Sequence, residues 1–298
     1  FNYRPFDVRY TVFDNKILQR ARFDLMSNYM FDNIGLNVVR QSKLKGVEAL
    51  LNKNISNRDY ITNHTYNFPL YVYEDSEEDA QTELLESPKT PKRVPNLDPE
   101  IIADIANAIG LTFTDEKTNE AGTFAPIDIL DYIYAVLHSP TYRETYKEFL
   151  KIDFPRVPYP SDAETFWQLV ALGSELRCIH LLESSKIKAQ RITLGLGYPQ
   201  QGDNSVTRKM TKNSIGFELD EGSDTIGKVW INDEQYFSKV PLIAWEFYIG
   251  GYQPAQKWLK DRFERTLDHN DVAHYMNIIA ALSLTSEIMQ QIDAIEMV

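Results

Sequence analysis

With a single cysteine, Cys178, the chain cannot close an intrachain disulfide, which fits a reducing compartment and excludes the cross-linked scaffolds of small secreted domains. No apolar run nears the ~20 residues that a membrane-spanning helix needs. No charged-then-apolar leader opens the sequence either. A cytoplasmic protein without a membrane partner is expected. Catalytic motifs are equally scarce. There is no G-x-S-x-G elbow, no H-E-x-x-H pair, no Cys/His cluster and no Asn-Pro-Pro-aromatic tetrapeptide. No glycine-rich loop follows a strand, as a dinucleotide or S-adenosylmethionine would require. His64, His138, His180, His269 and His274 share no metal-ligand spacing, and His180 falls on a core stripe as an interior, hydrogen-bonded residue.

One near-match needs weighing. Gly222-Ser-Asp-Thr-Ile-Gly227-Lys228 keeps the spacing of a phosphate-binding loop as far as its lysine. Val229 then stands where a Ser or Thr would hold magnesium, and the lysine leads into a strand instead of a helix. The chain by itself is expected to catalyse nothing and to hold neither metal nor cofactor.

What is present is core material and patterned charge. Of the 298 residues 43% are hydrophobic and 12% aromatic, enough for two subdomains. The net charge of −12 is concentrated, because residues 71–120 carry 13 acidic and 4 basic side chains while residues 1–70 carry 6 and 10. Binding of a polyanion depends on the local field of one face, so overall acidity does not veto it. The first residue is Phe1, inside a strand-like run, and the sequence reads as part of a longer polypeptide.

Periodicity predicts an α+β chain in four parts: a strand-rich segment at 1–73, an acidic linker at 74–97, a helical bracket at 98–183 and a mixed, β-rich subdomain at 184–298 closed by C-terminal helices. Strands are expected at 6–13, 36–40, 47–51, 68–73, 191–196, 228–232 and 242–249. Helices are expected at 15–30, 98–109 (capped by Asp98, stopped by Gly110), 126–137, from Ser139-Pro140, from Pro254, and at 270–296 as one or two. Pro155, Pro158 and Pro160 set an extended strut, after which Ser161 caps a helix to about Leu182 and Glu164 returns the bond.

The remaining chemistry is that of binding. Arg40, Gln41, Lys43 and Lys45 sit at a strand end and its turn, while Arg191, Arg208, Lys209 and Lys212 flank or occupy the loop GYPQQGDNSVTRKMTKNS at 197–214. Lys257 and Arg262 lie on the helix that starts at Pro254. Gln, Asn, Ser, Thr, Arg and Lys are the side chains that read base edges and grip phosphate. An ordinary solvated loop has the same composition.

Six phrases come in one order: YRPFDVRYTVFD, IGLNVVRQ, NFPLYVY, DILDYIYAVLHSPTYRETYKEFLKIDFPRVPYP, FWQLVALGSELRCIHLLES and VWINDEQYFSKVPLIAWEFYIGGYQPAQKWLKDR. In that order they resemble the C-terminal specificity region of type ISP restriction-modification enzymes and their adenine-methyltransferase relatives. The resemblance implies a bacterial defence enzyme in which this part recognises double-stranded DNA. An upstream adenine-N6 methyltransferase would use S-adenosylmethionine, and ATP and Mg belong with the nuclease and helicase-like parts where those are present. It also implies that Arg4, Asp7 and Arg9, in the opening phrase, form a joint with the methyltransferase. The competing readings are a stand-alone small-molecule enzyme, which would need a pocket of convergent titrating groups, and a protein-interaction scaffold.

Overall fold

The computed structural model describes every residue except 15, 19–20, 43–45, 63, 75–90, 212–215 and 297–298. The acidic tract drawn as a linker therefore lies mostly outside the described residues.

Local rules set the helices of the middle third. Asp98 accepts from the N–H groups of Glu100 and Ile101 at 2.9 and 3.2 Å, Pro99 opens α2 (Pro99–Ile109), and Gly110 ends it at φ 68°. Ser139 caps α4 (Pro140–Thr145) after α3 (Pro126–His138). After the short α5 (Lys147–Leu150), the prolines hold residues 155–160 out of regular structure, as expected. The next cap differs from expectation: Asp162, not Ser161, receives the Thr165 N–H at 2.7 Å and opens α6 (Ala163–His180). Ser161 donates its hydroxyl to the Asp162 carboxylate instead.

Of these helices α3, α4 and α6 pack against α10 (His269–Asp293), which is one continuous helix with an Asp268–Asp271 capping box. α3 and α6 cross at Gly173, where an added Cβ would lie 1.9 Å from the Asp131 carbonyl oxygen. Gly173→Ala is accordingly expected to cost about 2–3 kcal/mol, read as a shift of the urea midpoint without a change in slope. His180 ties the three helices together, since the Tyr134 hydroxyl meets its Nδ1 and Thr285 Oγ1 lies 2.8 Å from its Nε2.

Around this helical body sit small sheets. β1 (Asn2–Arg4) and β2 (Asp7–Val8) form a hairpin, and β3 (Gly35–Val38) pairs antiparallel with both β4 (Ala49–Asn52) and β5 (Tyr66–Pro69). β6 (Tyr71–Tyr73) pairs with β7 (Arg93–Pro95), β8 (Thr112–Phe113) with β9 (Thr123–Phe124), and β10 (Phe217–Leu219), β11 (Ile226–Trp230) and β12 (Tyr236–Pro241) make an antiparallel meander. A single cluster of buried apolar side chains runs from Phe6 to Ile292. Among the described residues no helix is long and apolar enough to cross a membrane.

Four expectations from periodicity are corrected. The run at 6–13 yields only Asp7–Val8, because Phe6 turns back at φ 61°. Among the described residues, the helix expected at 15–30 is limited to α1 (Phe23–Met26) and a 3-10 turn over Ser27–Met30. The run at 191–196 begins as the last turn of helix α7 (Lys186–Leu194), which packs on α10 and stops at Gly195 with φ 66°. Leu242–Glu246 is helix α8, leading to α9 (Pro254–Lys260), because the strand before it ends at Pro241. Short apolar runs do not separate strand from buried helix by period, and here packing against α10 decides.

Candidate nucleic-acid interface

The meander has two faces. Val229, Phe237 and Val240 point inward and are buried, while Lys228, Trp230 and Tyr236 point outward. Trp230 and Tyr236 are directly opposed across β11 and β12 with ring centres 4.5 Å apart. The Arg208 guanidinium lies 5.5 Å from the Trp230 ring centre, and Lys228 Nζ lies 5.1 Å from that of Tyr236. Trp230 Nε1 donates to Glu218 at 2.8 Å, which fixes the indole plane. The outer face is thus a row of alternating cations and rings, a surface on which bases stack and phosphates bind.

The loop beside it is held from three sides. Gln235, 2% exposed, donates from Nε2 to the Gln201 carbonyl and the Asn204 side chain and accepts the Asn204 N–H at 2.8 Å. Asn232 donates to the Ser205 carbonyl, and the N–H groups of Thr207 and Arg208 both reach the Ile231 carbonyl at 3.0 and 2.9 Å. From the other side, Val206 exchanges backbone hydrogen bonds with Glu264 and Arg265, and Leu267 donates to Asn204. Gly202, at φ 127°, packs so tightly on Gln235 that a Cβ would overlap its amide. A solvated loop has no such brace, so Arg208 and Lys209 project from a fixed backbone.

The residues singled out in the sequence do not form one cluster. Arg208 is paired with the exposed Asp233 at 3.3 Å, and Lys209 Nζ lies 5.2 Å from the Phe263 ring centre. Arg40 pairs with Asp153 at 2.8 Å and Gln41 donates to the Ile152 carbonyl, so both dock on the residues between α5 and the proline strut. Asp153 and Arg40 favour each other's charged form, the carboxyl pulled below its ordinary range. Arg191 reaches Asn277 at 3.0 Å on α10 and turns away from the loop it was expected to flank. Lys257 is engaged by Asp261, and Arg262 stacks 3.5 Å from the Trp258 ring centre while pairing with Asp7 and Asp271. Asp7 is 3% exposed and also pairs with Arg9, so the hairpin β1–β2 is bound to the turn after α9, where Arg262 lies instead of on the helix, and to α10 through His274 Nε2 on the Phe6 carbonyl at 2.8 Å. Lys43, Lys45 and Lys212 lie outside the described residues. Trp230, Tyr236 and the exposed Arg265 were not singled out in the sequence, and Lys228 was weighed only as the lysine of a phosphate loop, although the alternation in Ile226–Trp230 places Lys228 and Trp230 together.

The near-match to a phosphate loop is a hairpin, with Gly222 in its turn and Lys228 within β11. Among the described residues no three metal-ligating side chains converge. A rigid helical body bearing a braced polar loop and a cation-aromatic sheet face is built as a binding module. The model of the Type ISP C-terminal specificity domain matches residues 1–291, and the chain belongs to that family. No curated protein matches it.

Several solved structures are similar to the chain, three of them as follows. The ATP-dependent Type ISP restriction-modification enzyme LlaBIII bound to DNA superposes with a TM-score of 0.71 at 16% identity, over 99% of this chain and 18% of that one. A DrdV–DNA complex gives 0.65 at 16% identity over 100% and 28%. A nuclease-deletion mutant of the Type ISP enzyme LlaGI with a DNA substrate mimic gives 0.60 at 17% identity over 97% and 20%. The chain therefore spans 18–28% of the length of these proteins.

Proposed function

We propose that this chain is the target-recognition domain of a restriction-modification enzyme, reading base pairs of double-stranded DNA and setting an adenine-N6 methyltransferase of the same polypeptide over its target. The braced loop at 197–211 carries the reading, together with the family. A loop held by Gln235, Asn232 and the 264–267 segment gives Arg208 and Lys209 fixed positions, which recognition at ångström precision requires. Lys228, Trp230 and Tyr236 extend that surface for backbone and base contacts, and Arg40 with Gln41 offers a second patch beside the strut. Methyl transfer from S-adenosylmethionine to adenine N6, and any ATP- and Mg-dependent cleavage, belong to other parts of the polypeptide.

Duplex binding measured by fluorescence anisotropy against salt tests this. Affinity is expected to fall steeply with salt and to prefer one sequence. Replacing Arg208 and Lys209 together with alanine should weaken binding at least tenfold and reduce the slope of log K against log salt by roughly 2. Unchanged affinity and preference would remove the loop from recognition. Binding that ignores salt would favour a protein-interaction scaffold.

A further inference from the structure

Beside the turn that follows β3, helices α4 and α5 border a cavity of about 940 Å³. Its apolar wall is Val39, Ala49, Leu137, Leu150 and Pro155, and its charged wall includes Arg143, Lys147, Lys151, Glu48 and Glu144. The three cations recur every fourth residue, which puts them along one side of the two consecutive helices. They differ in what neutralises them. Lys147 pairs with Glu144 at 3.1 Å and Lys151 with Glu148 at 2.6 Å. Arg143 is half-buried, its Nε reaches the Ser139 carbonyl only at 3.4 Å, and its terminal nitrogens donate to no described residue. Asp293 and Glu48 favour its charge from a distance without forming an ion pair with it. The Asp293 oxygens are already taken by Ser139 and Thr141. Burial consequently holds the Arg143 guanidinium below its ordinary proton affinity.

A half-buried guanidinium that forms no ion pair among the described residues is an unfavourable arrangement that an anion would complete. Two carboxylates line the same cavity, so a bare anion or a fatty acid suits it poorly, and a ligand that also donates hydrogen bonds suits it well. The volume falls within the ~300–1,000 Å³ of small-ligand sites. We propose that this cavity binds one nucleotide, its phosphate on Arg143 with Lys147 in support, its base against Val39, Leu137 and Leu150, and its hydroxyl or amino hydrogens on Glu48. The nucleotide is either free or extruded from bound DNA, and the site stands whether or not the loop at 197–211 reads sequence.

Calorimetric titration of the chain with AMP, adenosine and inorganic phosphate tests it. AMP is expected to bind at least tenfold more tightly than either fragment, and Arg143→Met to weaken AMP at least tenfold while leaving adenosine unchanged. A thermal melt checks that this variant folds. If it does not, Lys147→Gln at the half-exposed rim should weaken AMP about threefold. Displacement of AMP by saturating duplex would identify the extruded source, and simultaneous binding the free one. AMP binding no tighter than phosphate, or indifferent to the substitution in the variant that folds, overturns the site.

Discussion

Arg177→Met is expected to lower the unfolding free energy by about 3–5 kcal/mol at neutral pH, because it strands a buried carboxylate. Arg177 Nε and Nη2 donate to the two oxygens of Asp131 at 2.7 and 3.0 Å, and the side chains are 18% and 3% exposed. Burial already pushes the Asp131 carboxyl above its ordinary value, against the pull of the arginine. Without that pull the shift grows, so the folded variant holds a proton that the unfolded chain has released. A group raised in this way favours folding below its unfolded value and loses that contribution as pH rises through the folded one. The deficit should therefore be large in urea melts at pH 7.5 and smaller at pH 5.5. A deficit below about 1 kcal/mol would mean that the pair behaves as an exposed one. Adding Asp131→Asn should recover most of the loss.

The second large effect is acid instability from buried histidines. Thr285 Oγ1 donates to the Ala281 carbonyl at 2.7 Å, so it accepts from His180 Nε2–H, which leaves Nδ1 to accept the Tyr134 hydroxyl. The bond accepted at Nδ1 requires the neutral form, since protonation would put a hydrogen on that nitrogen. Burial lowers His180 to about 3 and holds His138, whose Nδ1 lies 2.7 Å from the Tyr134 carbonyl, well below its ordinary value. His274 is lowered as well. The unfolded chain takes up protons below about pH 6.5 while these folded rings do not, so stability is full above that pH and falls as pH drops toward 3. Two such rings give about 2.7 kcal/mol per pH unit. Asp131 opposes this, and carboxyls held low, such as Asp162 and Glu116, add to the loss only in the acid range where unfolded carboxyls titrate. Urea midpoints at pH 7.5, 6.0 and 5.0 should show the fall. His138→Gln should flatten it by about half, and a pH-independent midpoint would contradict it.

Much of the helical frame was legible because its signals are local. Asp98, Pro99 and Gly110, the Ser139-Pro140 start and the prolines at 155, 158 and 160 each act within a few residues. The misread runs at 191–196 and 242–249 are decided by α10, far along the chain. The candidate surface divides the same way. The polar loop at 197–214 shows in its composition, but its stiffness comes from Gln235 and from residues 264–267. Arg191, Lys257 and Arg262 read as available cations, yet Arg191 and Arg262 meet partners such as Asn277 and Asp7 that sequence separation hides. Lys257 with Asp261 and Arg262 with the Trp258 ring are the pairs that helical spacing does show.

The threefold hold on the reading loop bears on how a new target preference could arise. Residues 231–235 and 264–267 are each stitched to 197–211 by main-chain and side-chain amide hydrogen bonds, so a graft of the loop alone would arrive without its mould. Preferences should be exchanged between homologous proteins only when all three segments travel together, and engineered chimeras cut between them should fold while losing discrimination.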